Sequence, residues 1–149
     1  MAVTAWVPTK TIANVLGGET AGESIAVDFL SDTIKCALVQ SAWAPNRDTV
    51  ESYADVTNEA SGSGYTAGGV TLAGKVITED AANNRQKFDS DDAVWATVTV
   101  TARYAVVYDD TASTKVILCV VDFGEDKSAS GAEFRVAPAA TGWCYADAA

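Results

Sequence analysis

Ala93-Val94-Trp95-Ala96-Thr97-Val98-Thr99-Val100-Thr101-Ala102-Arg103-Tyr104-Ala105-Val106-Val107-Tyr108 runs for sixteen residues without a turn residue. Val94, Ala96, Val98 and Val100 fall on one face, and Trp95, Thr97 and Thr99 on the other. A period of two is the signature of a β-strand. Sixteen residues exceed the usual strand length, so a bend or bulge is expected near Thr101 to Arg103, or one strand shared by two packed sheets. Trp95, opposite a valine-rich face, must then cover a second core or meet a partner.

Working outward, Asp109-Asp110-Thr111-Ala112-Ser113-Thr114 is turn chemistry. Lys115 to Phe123 follows, apolar on both faces, as a central strand hairpinned to its predecessor. Gly124 to Gly131 reads as a polar loop. Beyond it Phe134 and Val136 alternate with Glu133 and Arg135, and Gly142 precedes a short strand at Trp143-Cys144-Tyr145. Upstream, Thr33 to Gln40, Val70 to Thr78 and Arg85 to Phe88 read as strands. Val50, Tyr53 and Val56 recur at three-residue spacing, which predicts a short helical turn within Thr49 to Val56. Ser24 to Leu30 fits either state. Thr57 to Gly69, with Gly62, Gly64, Gly68 and Gly69, must be a loop.

The 149 residues include 18 Val, 16 Thr and 5 Ile against 5 Leu and 1 Met, a balance that favours strands over helices. The expected fold is an all-β antiparallel β-sandwich with an extended N-terminal arm and one short helical turn. The arm spans residues 1–22, where Pro8 and Gly17-Gly18 interrupt any pattern, and a single β-sandwich domain spans 23–149.

Charge and composition restrict the chemistry. Twenty Asp and Glu against ten Lys and Arg give a net charge of −10, opposite to a nucleic-acid footprint and repelled by an anionic membrane. No nucleic acid and no membrane is therefore expected as a partner. The chain has no His, so the commonest general base and metal ligand is missing. Cys36, Cys119 and Cys144 are far apart and odd in number, which fits buried reduced thiols better than a disulfide frame or a zinc site. The start lacks a charged segment followed by an apolar one, so a cytoplasmic origin is expected.

The formal motifs carry little. Gly62-Ser63-Gly64-Tyr65-Thr66-Ala67 matches a dinucleotide fingerprint in letters, but a β-rich run follows where a helix is required. Ser61 and Ser63 have no His to accept a proton. Asp89, Asp91 and Asp92, the pair Asp109 and Asp110, and Asp122 could supply the two acids of a glycosidase, and the first three could supply calcium oxygens. Their places at turns fit solvated Asx residues better. No cofactor, metal or catalytic residue is assigned, and no enzyme activity is expected.

One resemblance extends over about three quarters of the chain. It is carried by Ser31-Asp32-Thr33-Ile34-Lys35-Cys36-Ala37-Leu38-Val39, Ala44-Pro45-Asn46, Asp55-Val56-Thr57-Asn58-Glu59, and Gly62 to Gly69. Phe88-Asp89-Ser90-Asp91-Asp92 with Trp95, then Ala102 to Tyr108 and Val121 to Asp126, continue it in order. In these blocks the chain resembles a family of small tailed-bacteriophage virion structural proteins. The resemblance implies a non-enzymatic, β-rich virion component. Within that class a capsid decoration or cement protein is expected on the capsid surface, after assembly in the host bacterial cytoplasm. Its partners would be the major capsid protein and neighbouring copies of itself, as a homo-oligomer such as a trimer. Trp6, Val7 and Pro8 in the arm, with Trp43 and Tyr65, are the candidate partner-facing residues. The alternative from another class is a tail- or fibre-associated adhesin that recognises a host surface glycan through exposed tryptophans on its loops.

Overall fold

The computed structural model describes residues 2–11, 19–20, 23–24 and 27–147. The larger sheet is formed by β1 (Thr4–Trp6), β4 (Ile34–Val39), β5 (Val70–Thr71), β8 (Ala93–Asp109) and β9 (Ile117–Val136), in the order β1-β9-β8-β4-β5. A three-stranded sheet, β10-β7-β6, joins β6 (Val76–Asp80), β7 (Arg85–Asp89) and β10 (Cys144–Asp147). A two-residue ladder pairs β2 (Glu19–Thr20) with β3 (Glu23–Ser24). The assigned strand pairs are antiparallel, and the protein is mostly β with a sandwich-like arrangement, as expected.

β9 lies inside its sheet, between β1 and β8, where its first stretch, Ile117 to Phe123, is apolar on both faces. Cys36, Leu38, Ala105, Val107, Leu118 and Phe123 belong to one buried cluster of the larger sheet, which also takes in Trp95 and Phe134. Ala37, Val39, Val106, Tyr108, Ile117 and Val120 belong to a second, to which Trp43 and Val50 contribute from the chain between β4 and β5. Each fully buried Val, Leu or Ile contributes on the order of 1.5–3 kcal/mol. A helical turn does occur in that chain, but as a 3-10 turn confined to Tyr53–Asp55. The Asp55 carboxylate anchors it by accepting the Glu51 and Ser52 N–H groups at 2.9 Å each.

β8 is one unbroken strand of 17 residues with irregular pairing at several points. One irregularity falls between Ala102 and Tyr104, where a bulge is expected from length alone. Another, between Trp95 and Val98, reverses the expected facing. Trp95 and Val98 are both buried while Ala96 and Thr97 are exposed, because an extra residue in a bulge shifts the pleat by one. Trp95 thus covers the core between the sheets, and Val94 is only half-buried.

Three other expectations are corrected. Gly124 to Gly131 is not a loop; it continues β9, with Ala129 opposite Val100 and Lys127 opposite Ala102. Its polar composition reflects exposure, and the surplus residues between Asp122 and Lys127 are taken up opposite Arg103. Val70 to Thr78 is two strands in different sheets, because the chain turns at Leu72-Ala73-Gly74 with Leu72 buried. The arm expected over residues 1–22 does not stand clear in its described first part. Thr4, Ala5 and Trp6 pair with Asp122, Val121 and Val120, Thr9 N–H donates to Arg47 O at 3.0 Å, and the Thr11 hydroxyl donates to Ile117 O. Completing a sheet edge and burying Pro8 fasten this stretch. Most of the rest of the arm lies outside the described residues.

Candidate functional site

The glycine-rich segment after Glu59 is a backbone clamp on β8. Thr99 N–H donates to Ser63 O at 2.8 Å, and a Cβ on Gly62 would sit 1.8 Å from Thr99 O, on Gly64 2.1 Å from Thr97 O. Only glycine permits that approach, and the segment covers a strand edge that would otherwise be open. Glu59 holds the far end: its Oε1 accepts the Tyr65 hydroxyl at 2.9 Å and Gly68 N–H at 2.6 Å. The Tyr108 hydroxyl donates to Gly68 O at 2.8 Å, so the glycine's N–H and C=O groups are both engaged. Burial pushes the Tyr53, Tyr65 and Tyr108 phenols well above their ordinary range.

Of the acids expected at turns, Asp91, Asp92 and Asp110 lie between strands, whereas Asp89 and Asp109 end β7 and β8 and Asp122 lies within β9. Asp89 accepts Ser90 N–H at 2.9 Å, Asp91 N–H donates to Ala73 O at 2.9 Å, and Asp92 pairs with Arg135 at 2.8 Å. Among the described residues no three His, Cys, Asp or Glu side chains are grouped to hold a metal ion. Asp110 lies between Lys115 and Lys35, at 2.5 and 2.6 Å. Hydrogen bonds from these two ammonium groups hold its carboxyl below the usual range.

Asp122 takes a two-point contact from Arg103, Nε to Oδ1 at 2.5 Å and Nη2 to Oδ2 at 3.2 Å. That hydrogen bonding lowers the Asp122 carboxyl's pKa. A depressed acid contributes stability that is complete above its unfolded pKa of about 3.9 and is lost as pH falls through the folded value. Asp122→Asn is therefore expected to lower the thermal midpoint at pH 7 by about 2–4 °C. The difference from wild type should close as the pH falls below 3.9; calorimetry across pH 2–7 reads it directly.

The thiols are held protonated. Burial pushes Cys36 and Cys144 up to about 12 and raises Cys119 well above its ordinary value, which suppresses the nucleophilic thiolate. All three cysteines are free, and Cys36 and Cys119 are buried, as their reading as core thiols expects.

The five candidate partner-facing residues do not converge. Trp6, half-buried, packs on the cluster that contains Trp43. Trp43 is 4% exposed, donates its indole N–H to Asp55 O at 3.1 Å and meets Tyr104 edge to face. Pro8 is buried. Tyr65, half-buried, accepts Leu38 N–H at 3.0 Å and stacks near Trp95. Val7 alone of the five borders a recess. Trp95 and Trp143 are also in the core, so three of the four indoles are enclosed, where a glycan-binding loop needs them outside.

The recess bordered by Val7 lies beside the three-stranded sheet and encloses about 340 Å³. Ile77, Phe88 and Cys144 form one cross-strand row, and all three line it, with Phe29 and Leu118 opposite. Phe29 and Phe88 meet edge to face at 5.5 Å. At the rim Ile77 is 39% and Tyr145 44% exposed, and the Arg85 guanidinium lies over the Tyr145 ring at 4.2 Å. The sequence gives no local sign of this recess, because its walls come from six separated segments.

Comparison with protein-family models, with curated proteins and with solved structures gave no match to this chain. No helix among the described residues is long and apolar enough to cross a membrane.

Proposed function

We propose that this protein is a non-enzymatic structural subunit of a tailed-bacteriophage virion, a capsid decoration or cement protein that docks on the major capsid protein. The observation that carries the docking part is the apolar recess rimmed by exposed Ile77 and Tyr145 on a chain of net charge −10. An apolar concavity with a polar surround is what a protein contact requires. The virion part rests on the ordered blocks quoted above. Modest contacts of this size multiply when many copies bind a symmetric shell beside one another. Asp92, Asp110 and Asp122 are engaged in ion pairs, Asp89 in a turn, and Cys36 and Cys119 in the core, which is a structural use of groups that chemistry would need free. A net acidic surface also keeps unassembled copies apart from one another and from nucleic acid.

Mixing the purified protein with undecorated capsids and with isolated tails, followed by sedimentation and densitometry, tests this reading. Saturation at hundreds of copies per head is expected. A handful of copies on tails, or none on heads, would overturn it. Ile77→Glu, at a position already exposed enough to tolerate charge, is expected to fold normally and to reduce head occupancy at least tenfold at a fixed concentration. Undiminished binding by that variant would move the contact away from the recess.

A further inference from the structure

The turn before β4 is stitched to the β8–β9 hairpin. Asp110 N–H donates to Thr33 O at 2.8 Å, Thr33 N–H donates to the Thr111 hydroxyl oxygen at 2.7 Å, and Ile34 is in register with Asp109. Within this seam Asp109 is 0% exposed. Its Oδ1 accepts Thr111 N–H at 2.8 Å, while its buried Oδ2 has no hydrogen-bond donor. The side chain facing it is the carboxyl of Asp32, itself an acceptor when ionised. An unpaired buried oxygen costs about 1–3 kcal/mol, more if charged, and two facing carboxylates repel.

The surrounding charges do not relieve it. On the turn, Asp28 accepts Leu30 and Ser31 N–H groups, and its own N–H donates to Asp32 Oδ2 at 2.7 Å. Lys75 reaches the Asp32 backbone oxygen. Lys35 from β4 and Lys115 from the hairpin both go to Asp110. Beside Val116, Glu51 is turned to Lys10 at 2.9 Å. Among these described groups, no ammonium is engaged with the Asp109 carboxyl.

We propose that Asp32 and Asp109 share one proton, and that this proton latches the 28–33 turn onto the β8–β9 hairpin. A shared proton converts an acceptor–acceptor contact into a hydrogen bond and gives Oδ2 its partner. Burial, and after it the facing Asp32 carboxyl, push the Asp109 carboxyl upward against the opposing pull of the Thr111 and Ala112 N–H groups. A raised acid contributes stability that is complete below the unfolded pKa of about 3.9 and is lost as pH rises through the folded value. The latch therefore closes in acid and loosens toward alkaline pH. The same turn supplies Asp28 and Phe29 to the apolar recess, so its release would move one wall of that recess. The latch itself does not depend on what the recess binds.

Asp109→Asn replaces the shared proton by an amide N–H that can donate to Asp32 at every pH. Thermal unfolding of wild type and Asp109→Asn is compared from pH 4.5 to 8.5, with amide exchange of residues 30–33 corrected for intrinsic rate. The variant is expected to match wild type at the acid end and to exceed it by about 3–6 °C at pH 8. Protection of those four amides should fall with pH in wild type alone. A difference that does not vary with pH, or a variant less stable at pH 8, overturns the proposal. Carbon-13 titration of the Asp109 carboxyl gives an independent reading; a midpoint at or below 3.9 also overturns it. So does millimolar calcium that raises the midpoint of wild type but not of the variant, which would put a cation where the proton is assigned.

Discussion

Gly69→Ala is expected to lower the unfolding free energy by about 4 kcal/mol or more, enough to leave a domain of ordinary stability largely unfolded at 37 °C. Gly69 has φ +76°, and a Cβ there would lie 1.9 Å from Cys36 O and 2.6 Å from Ala37 Cα. Both obstacles are backbone of β4, whose pairing with β8 runs through six consecutive residue pairs, so neither can step aside. The left-handed conformation adds roughly 1–2 kcal/mol of its own. Gly131→Ala separates the two terms. Its φ is +61° and a Cβ would meet nothing within 4 Å, so only the conformational cost of about 1–2 kcal/mol applies. Urea unfolding by linear extrapolation measures both. If the two variants lose equal amounts, the close approach to β4 is not what the glycine provides.

Tyr108→Ala is expected to cost about 3–5 kcal/mol, and Tyr108→Phe about 1 kcal/mol. The ring is 1% exposed and stacks on Tyr53 with centroids 4.1 Å apart, so truncation leaves a cavity between the sheet and the segment that covers it. The phenylalanine variant keeps the stack and removes only the bond to Gly68 O. Glu59 grips the N–H of that same glycine. Tyr108→Phe combined with Glu59→Gln should therefore be non-additive by about 0.5–1.5 kcal/mol. Equal losses for the alanine and phenylalanine variants would place the whole effect on the hydroxyl and deny the packing argument.

What the sequence discloses follows from how local each cause is. Strand identity in Ala93 to Tyr108 and Lys115 to Phe123 is local, since alternation and apolar runs are written in neighbouring residues. Facing in the first of these is not. Ala96 and Thr97 carry no mark of the bulge that brings Trp95 and Val98 to one side. Gly124 to Gly131 misleads for a related reason, because composition registers exposure and says nothing about backbone pairing. Trp6, Pro8 and Trp43 announce buried apolar surface, yet a sequence does not say whether the surface that buries them belongs to the same molecule. The Tyr108 bond to Gly68 joins residues forty positions apart, and the pair Asp32 and Asp109 lies farther apart still. Only the register of β4 against β8 brings that second pair together.

The pairing of β1 with β9 has a consequence in time. Thr4 must find Asp122, and at roughly 5–20 residues per second of synthesis the partner leaves the ribosome on the order of 6–24 s after the strand does. For that interval the first strand is an unmatched β-edge carrying Trp6. In a crowd of nascent copies, the β9 of a neighbouring molecule offers the same register as its own. The contact that closes one chain is then also the contact through which two chains can exchange their beginnings, and synthesis rate and local concentration set the balance between them.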